Sequence, residues 1–181
     1  MDRLPFPDTW TVRRARDAYL AENGFTVAAY EDAWTDASFL GVRFRVPNTR
    51  RHSWAIMLHD LHHVATGYGT DLAGEGEISA WELRRGLGAL GLYVGTIVAM
   101  GTVMGFMMAP RRALEAFLAA GTSRSLFDPS VDYEALLDMT VGELRARLAL
   151  PAGGLARTPR GLHAYAPRQP ADGAAAFGHA G

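Results

Sequence analysis

The run His59-Asp60-Leu61-His62-His63 puts three imidazoles and a carboxylate within little more than one helical turn, and Glu75 follows after a Gly-rich stretch. Side chains on a helix repeat about every 3.6 residues, so His59 and His63 share a face. Asp60 lies on the edge of that face. The stretch Gly67-Tyr68-Gly69-Thr70-Asp71-Leu72-Ala73-Gly74 can reverse the chain and bring Glu75 back as a fourth ligand. Two nitrogens and two carboxylates suit zinc, iron(II) or manganese(II), and ligand type alone does not choose among them. The competing reading is a solvated polar face. Trp54, Leu58, Leu61 and Ala65 make the back of the helix apolar, and Ile56 sits among the polar residues, so the helix reads as buried on both sides. Buried charges must be paired or bind metal.

Several neighbours can support or flank such a site. Glu82 lies seven residues after Glu75 and Ser79 four after it, on one helical face; Glu82 can hold a ligand histidine from behind. A surface pair with an arginine is its alternative. His52 precedes His59 by seven residues and falls on the ligand face as a contact to the site or to substrate. Tyr68, Thr70 and Asp71 are candidate substrate contacts in the turn. His62 lies off the ligand face and reads as structural, and Glu77 as exposed. No general base is evident, so no catalytic residue is assigned.

The pattern His-Asp-x-x-His, eleven residues, then Glu, with Thr66-Gly67-Tyr68 and Thr70 between and Gly74-Glu75 closing, resembles the signature of the Coq-four family of coenzyme Q (ubiquinone) biosynthesis proteins. Asp132-Tyr133-Glu134 and Thr140 to Leu148 are similar, more weakly, to the closing helices of that family. The resemblance covers residues 10 to 150. It implies a mostly helical fold and a metal, zinc first, held by His59, Asp60, His63 and Glu75. It also implies a role in replacing the ring carboxyl of a prenylated hydroxybenzoate by oxidative decarboxylation, and in organising other biosynthetic enzymes. The alternatives are a non-catalytic lipid-binding scaffold with structural zinc, a relative acting on another aromatic or polyketide-like acid, and a metal phosphohydrolase. His59-Asp60 resembles the His-Asp pair of the last class, for which His52 and Asp128, Asp132 or Asp138 could complete the set. A His-Glu-x-x-His protease is disfavoured, because Asp60 stands where its glutamate base is required.

The elements that must position these residues are mostly helical. Thr9 or Thr11 can cap a helix over 11–22 whose Arg13, Arg14 and Arg16 face water or lipid head groups. Residues 28–34 suit a short helix. Phe39 to Val46 alternates as an extended segment, and with no second strong strand no sheet is expected. Asn48 can cap the metal helix from Thr49 to about Thr66. Gly86 to Ala109 carries no charge and is bracketed by Arg84-Arg85 and Arg111-Arg112. By length it qualifies as a membrane span. Its direct continuity with the Glu75 helix favours a buried helix lining an apolar cavity, or one lying on a bilayer. Pro110 starts the next helix, Val131 to Asp138 is a short one, and Thr140 with Glu143 forms a capping box for the last.

The expected fold is an all-α, single-domain helical bundle over 1–150, followed by a disordered Gly/Ala/Pro-rich tail over 151–181. A chain of 181 residues is long enough for one real core. Its net charge of −1 gives no electrostatic case for nucleic acid. No cysteine means no disulfide and no thiolate ligand. The expected partner is a prenylated aromatic or other hydrophobic small molecule. A membrane surface, a second copy of the chain and other biosynthetic enzymes are further expected partners. No signal peptide is visible, which points to the cytoplasm or the inner face of a membrane.

Overall fold

A computed structural model of the chain describes residues 5–39, 42–87 and 90–162, with backbone alone for 35–44. Among these, seven α-helices carry the architecture: α1 Val12–Glu22, α2 Arg50–Thr66, α3 Leu72–Arg85, α4 Gly91–Met108, α5 Pro110–Ala119, α6 Tyr133–Leu137 and α7 Val141–Arg147. The protein is all-α in class. One departure is a hairpin, in which β1 (Trp34–Phe39) pairs antiparallel with β2 (Val42–Pro47). The alternation in 39–46 therefore does find a partner, the less regular stretch just before it. Residues 27–31 form a single 3-10 turn rather than an α-helix.

Local signals fix most helix ends. Thr11 caps α1 by accepting from Arg14 N–H, and Thr140 with Glu143 closes the capping box of α7. Thr49, not Asn48, caps α2; Asn48 instead donates to the Asp32 carbonyl. Gly67 ends α2 at φ 81°, a left-handed conformation that a glycine adopts without a Cβ clash. Asp71 caps α3, so Glu75 sits within its first turn.

α2 is the axis of the core. Leu58, Leu61 and Val64 are fully buried against α1, α3 and α7. Arg145 of α7, also buried, donates to the carbonyls of Ala65 at 2.8 Å and Phe6 at 2.9 Å and pairs with Asp8. It satisfies a carbonyl at the C-terminal end of α2, where a cation also suits the helix dipole. Arg16, expected in water, is 5% exposed and donates to Tyr133 Oη at 3.0 Å. Glu77, expected in solvent, is 8% exposed because Arg112 grips both its oxygens at 3.0 and 2.7 Å.

The apolar segment does not continue the Glu75 helix. α3 ends at Arg85, the chain turns through Gly86 (φ 97°), and α4 folds back antiparallel along α3. Gly76 and Gly105 meet backbone to backbone, and Gly101 lies against Ser79; a Cβ at any of the three would overlap its neighbour. Val94, Val98, Thr102, Met104 and Gly105 face inward. The outward face is open, with Leu92 89% exposed and Met107 70% exposed. α4 is long and apolar enough to cross a membrane by length and composition, with 28% of that window buried.

The tail expectation needs correction up to residue 162. Leu155 and Ala156 N–H both donate to the Thr66 carbonyl, and Thr70 N–H donates to Gly161 O at 3.0 Å. Arg160 lies 3.9 Å over the Phe6 ring and pairs with Glu22 at 3.1 Å. These residues are irregular yet held, because they supply partners to the end of α2 and to the turn. Residues 163–181 lie outside those described.

Candidate metal centre

His59 and His63 come from successive turns of α2, and Glu75 from the first turn of α3 across the Gly67–Asp71 turn. Their ligand atoms all lie within 4.8 Å of one another, so the three residues form a group that could hold a metal ion. His59 Nε2 is 3.1 Å from His63 Nε2. Each of these nitrogens is 3.5 Å from a different oxygen of Glu75. Donors bound tetrahedrally at 2.0–2.1 Å stand roughly 3.3 Å apart, so the spacing fits one ion.

The surroundings fix which atoms face inward. His59 Nδ1 is 2.9 Å from Glu82 Oε1, a carboxylate oxygen that only accepts, so Nδ1 carries the proton. His63 Nδ1 is 3.1 Å from the Tyr68 carbonyl and is protonated for the same reason. Both rings therefore turn Nε2 towards each other and towards two carboxylate oxygens. With the proton of His59 Nε2 given up, four ligand atoms converge on one point, and such a cluster suits a cation. The donor set thus fits a divalent metal.

Glu82 is fully buried and also accepts from His62 Nδ1 at 2.7 Å. His62 Nε2 accepts from Leu126 N–H at 2.9 Å, so His62 ties the loop after α5 to the support of the site. His62 is structural, as its position off the ligand face suggests. The electrostatics are mutual. Burial pulls His59 down, but the Glu82 and Glu75 carboxylates more than reverse this and hold it well above the ordinary histidine range. Burial works upward on Glu75, yet His63 and His59 hold it well below the usual carboxylate range. Burial likewise lifts Glu82, and His59 and His62 overcome it and lower it. His62 itself is lowered, mainly by burial.

Asp60 does not join the group. Its Oδ2 accepts from Tyr30 Oη at 2.5 Å, and burial raises its carboxyl above the ordinary range. His52 is buried with its ring edge-on to Tyr93 and its Nδ1 unpartnered, and it makes no contact with the three ligands shown here. Tyr68 serves through its carbonyl. Thr70 Oγ donates to Asn23, which binds the turn to the end of α1, and Asp71 caps α3. Ser79 packs against Gly101 of α4. These residues shape the turn and the helix pair. Asp128, Asp132 and Asp138 hold Ser130, cap α6 and pair with Arg13 respectively, so the structure does not bring the phosphohydrolase set together.

Two residues that matter are not apparent from sequence spacing. Tyr19 of α1, readable only as an apolar-face residue, stacks on His63 with centroids 5.5 Å apart. Tyr30 reaches Asp60 from thirty residues away. His63 is fully buried, while the side chains of His59 and Glu75 are 24% and 40% exposed, so the group opens to solvent on the Glu75 side. An open pocket of about 390 Å³ is lined by Tyr30, Arg50, Trp54, Met57 and neighbours.

The fold and the site define an all-α protein with a candidate two-histidine, one-carboxylate metal centre. No family model matches the chain, and neither the curated proteins nor the solved structures contain a significant match.

Proposed function

We propose that the chain is a metal-dependent protein of coenzyme Q-type biosynthesis acting on the ring carboxyl of a prenylated hydroxybenzoate. The observation that carries this reading is the convergence of four possible ligand atoms from His59, His63 and Glu75 in the His-x-x-x-His, eleven-residue, Glu spacing. Zinc is the ion we expect; iron(II) and manganese(II) accept the same donors. A bound divalent ion there supplies charge neutralisation for an acidic ring substituent. The chain's own residues do the rest. Glu82 and the Tyr68 carbonyl orient the two imidazoles, Tyr19 packs His63 in place, and partly exposed Glu75 leaves an approach from solvent.

The outward face of α4 supports the second half of the reading. Leu92, Met100, Val103 and Met107 form an uncharged strip that suits an isoprenoid tail or the membrane surface in which such a tail dissolves. The methionines can adapt to a flexible chain. On this reading the protein works in the cytoplasm or peripherally at a membrane, with a hydrophobic small molecule and other biosynthetic enzymes or a second copy as partners.

Elemental analysis of the purified chain, with mass spectrometry of its organic extract, tests the proposal. One equivalent of a divalent metal and a prenylated aromatic acid are expected. A tightly held zinc with no extractable lipid or aromatic would favour a structural staple, and a chain that takes up no divalent ion would end the metal reading.

A further inference from the structure

Asp60 follows His59 directly, and its charge acts on both His59 and His63, yet neither of its oxygens belongs to the ligand group. The cause lies on its other side. Tyr30 Oη donates to Oδ2 at 2.5 Å. Hydroxyl-to-carboxylate bonds of this length are among the stronger ones, and they fix the carboxylate's orientation. Arg16 Nη1 donates to the Tyr133 hydroxyl at 3.0 Å, and Tyr133 acts electrostatically on Tyr30. Arg16 is buried and anchored by Asp17 at 2.6 Å.

We propose that Tyr30 is a positioning residue that withholds Asp60 from the metal, keeping the protein ligands at His59, His63 and Glu75 and the next coordination position open. This rests on the metal reading above and sharpens it. A four-ligand protein shell closes a site, whereas three ligands leave room for water or substrate. Asp60 then contributes charge near the ion without occupying a position on it. The partly exposed Glu75 side would give a substrate anion its approach to such a position.

Titration of the full chain with cobalt(II), read both as affinity and as the visible spectrum that reports coordination, tests this. Tyr30→Phe keeps the ring and removes the restraining bond, so Asp60 can swing in; metal binding should tighten by about tenfold and the cobalt spectrum should change. Asp60→Asn alone should weaken binding by less than about tenfold and keep the wild-type spectrum, since it removes a nearby charge but no ligand. In the double variant the gain from Tyr30→Phe should vanish. If Asp60→Asn loses metal as severely as His63→Ala, Asp60 is a ligand; the metal reading then stands and this inference falls. An unchanged or weakened affinity with an unchanged spectrum in Tyr30→Phe overturns it as well, even where Asp60→Asn does not fold. A wild-type chain that binds no cobalt removes both readings together.

Discussion

α2 and α4 are the two longest helices, and their burial is the reverse of their polarity. α2 carries four histidines and an aspartate, yet His62 and His63 are fully buried and Asp60 is 7% exposed. α4 carries no charged residue, yet Leu92 is 89% exposed. Neighbours rather than composition decide this. α2 is surrounded by α1, α3 and α7, and each of its buried polar groups named above except the His52 ring has a partner. α4 leans on α3 and α5 along one side. Polar groups inside are costly only when unpaired. Apolar groups outside carry no such local penalty, but a continuous strip of them is uncommon without a partner surface. The internal polar helix thus carries the two histidines of the group that could hold an ion, and the external apolar helix carries the open apolar strip.

The comparison can be broken at several points, and the largest effect should come from α2. His63→Ala removes a ligand and should weaken metal binding by more than about a hundredfold, beyond the 10–100-fold typical of supporting residues. Unchanged metal content by elemental analysis would refute the ligand assignment. His62→Ala should keep the metal site's ligands but lose about 2–4 kcal/mol of folding stability, because it orphans Leu126 N–H and leaves a void beside Trp81. Denaturant unfolding measures that cost.

Glu82→Gln should weaken metal binding by about 10–100-fold without changing stoichiometry. The pH dependence has a definite sign. In the metal-free chain His59 lies above its ordinary value of 6.5, after burial, which lowers it, is outweighed by Glu82 and Glu75. A raised histidine contributes stability that is complete below 6.5 and is lost as pH rises through the folded value. Metal must expel that proton, so affinity should increase as pH rises across this range. In Glu82→Gln the pH dependence should shift towards lower pH, and a parallel profile for both proteins would refute the coupling.

Smaller effects separate the two faces of α4. Gly105→Ala drives a Cβ into Gly76 and should cost about 1–3 kcal/mol. At Gly95 a Cβ meets only Leu87 at an ordinary 3.7 Å, so Gly95→Ala should be neutral or stabilise by about 0.5–1 kcal/mol through helix propensity. Thermal unfolding ranks the pair, and a reversed order would mean that the α3–α4 register is wrong. The smallest change belongs to the open strip. Leu92→Gln should alter the stability of the isolated chain by no more than about 0.5 kcal/mol. A larger loss that depends on protein concentration would mean that a second copy covers this face.

Spacing carried much of the site. The four-residue step from His59 to His63 can put two imidazoles on one face in any helix, and Glu75 needed only the glycine-rich reversal that Gly67 and Asp71 deliver. The helix starts at Thr11 and Thr140 were legible for a similar reason: capping is a contact over three residues. Asn48 and Thr49 compete for the same role one residue apart, and the partner at Asp32 decided between them. Asp60 stands outside the group because periodicity gives a direction from the helix axis but not the Tyr30 hydroxyl that meets it there.

Sequence by itself determined the all-α class, the shared face of His59 and His63, the return of Glu75 and the uncharged length of α4, since all four depend on local periodicity and composition. Tertiary structure decided the rest. It placed Tyr30 against Asp60 and Glu82 between His59 and His62, buried Arg16 and Glu77 with their partners, and folded α4 back on α3 with one face open. Each of these is a pairing between residues distant in the chain. The physical reason is that a buried polar group or a close glycine contact is stabilised by whatever the fold brings opposite it, and local sequence carries no record of that neighbour.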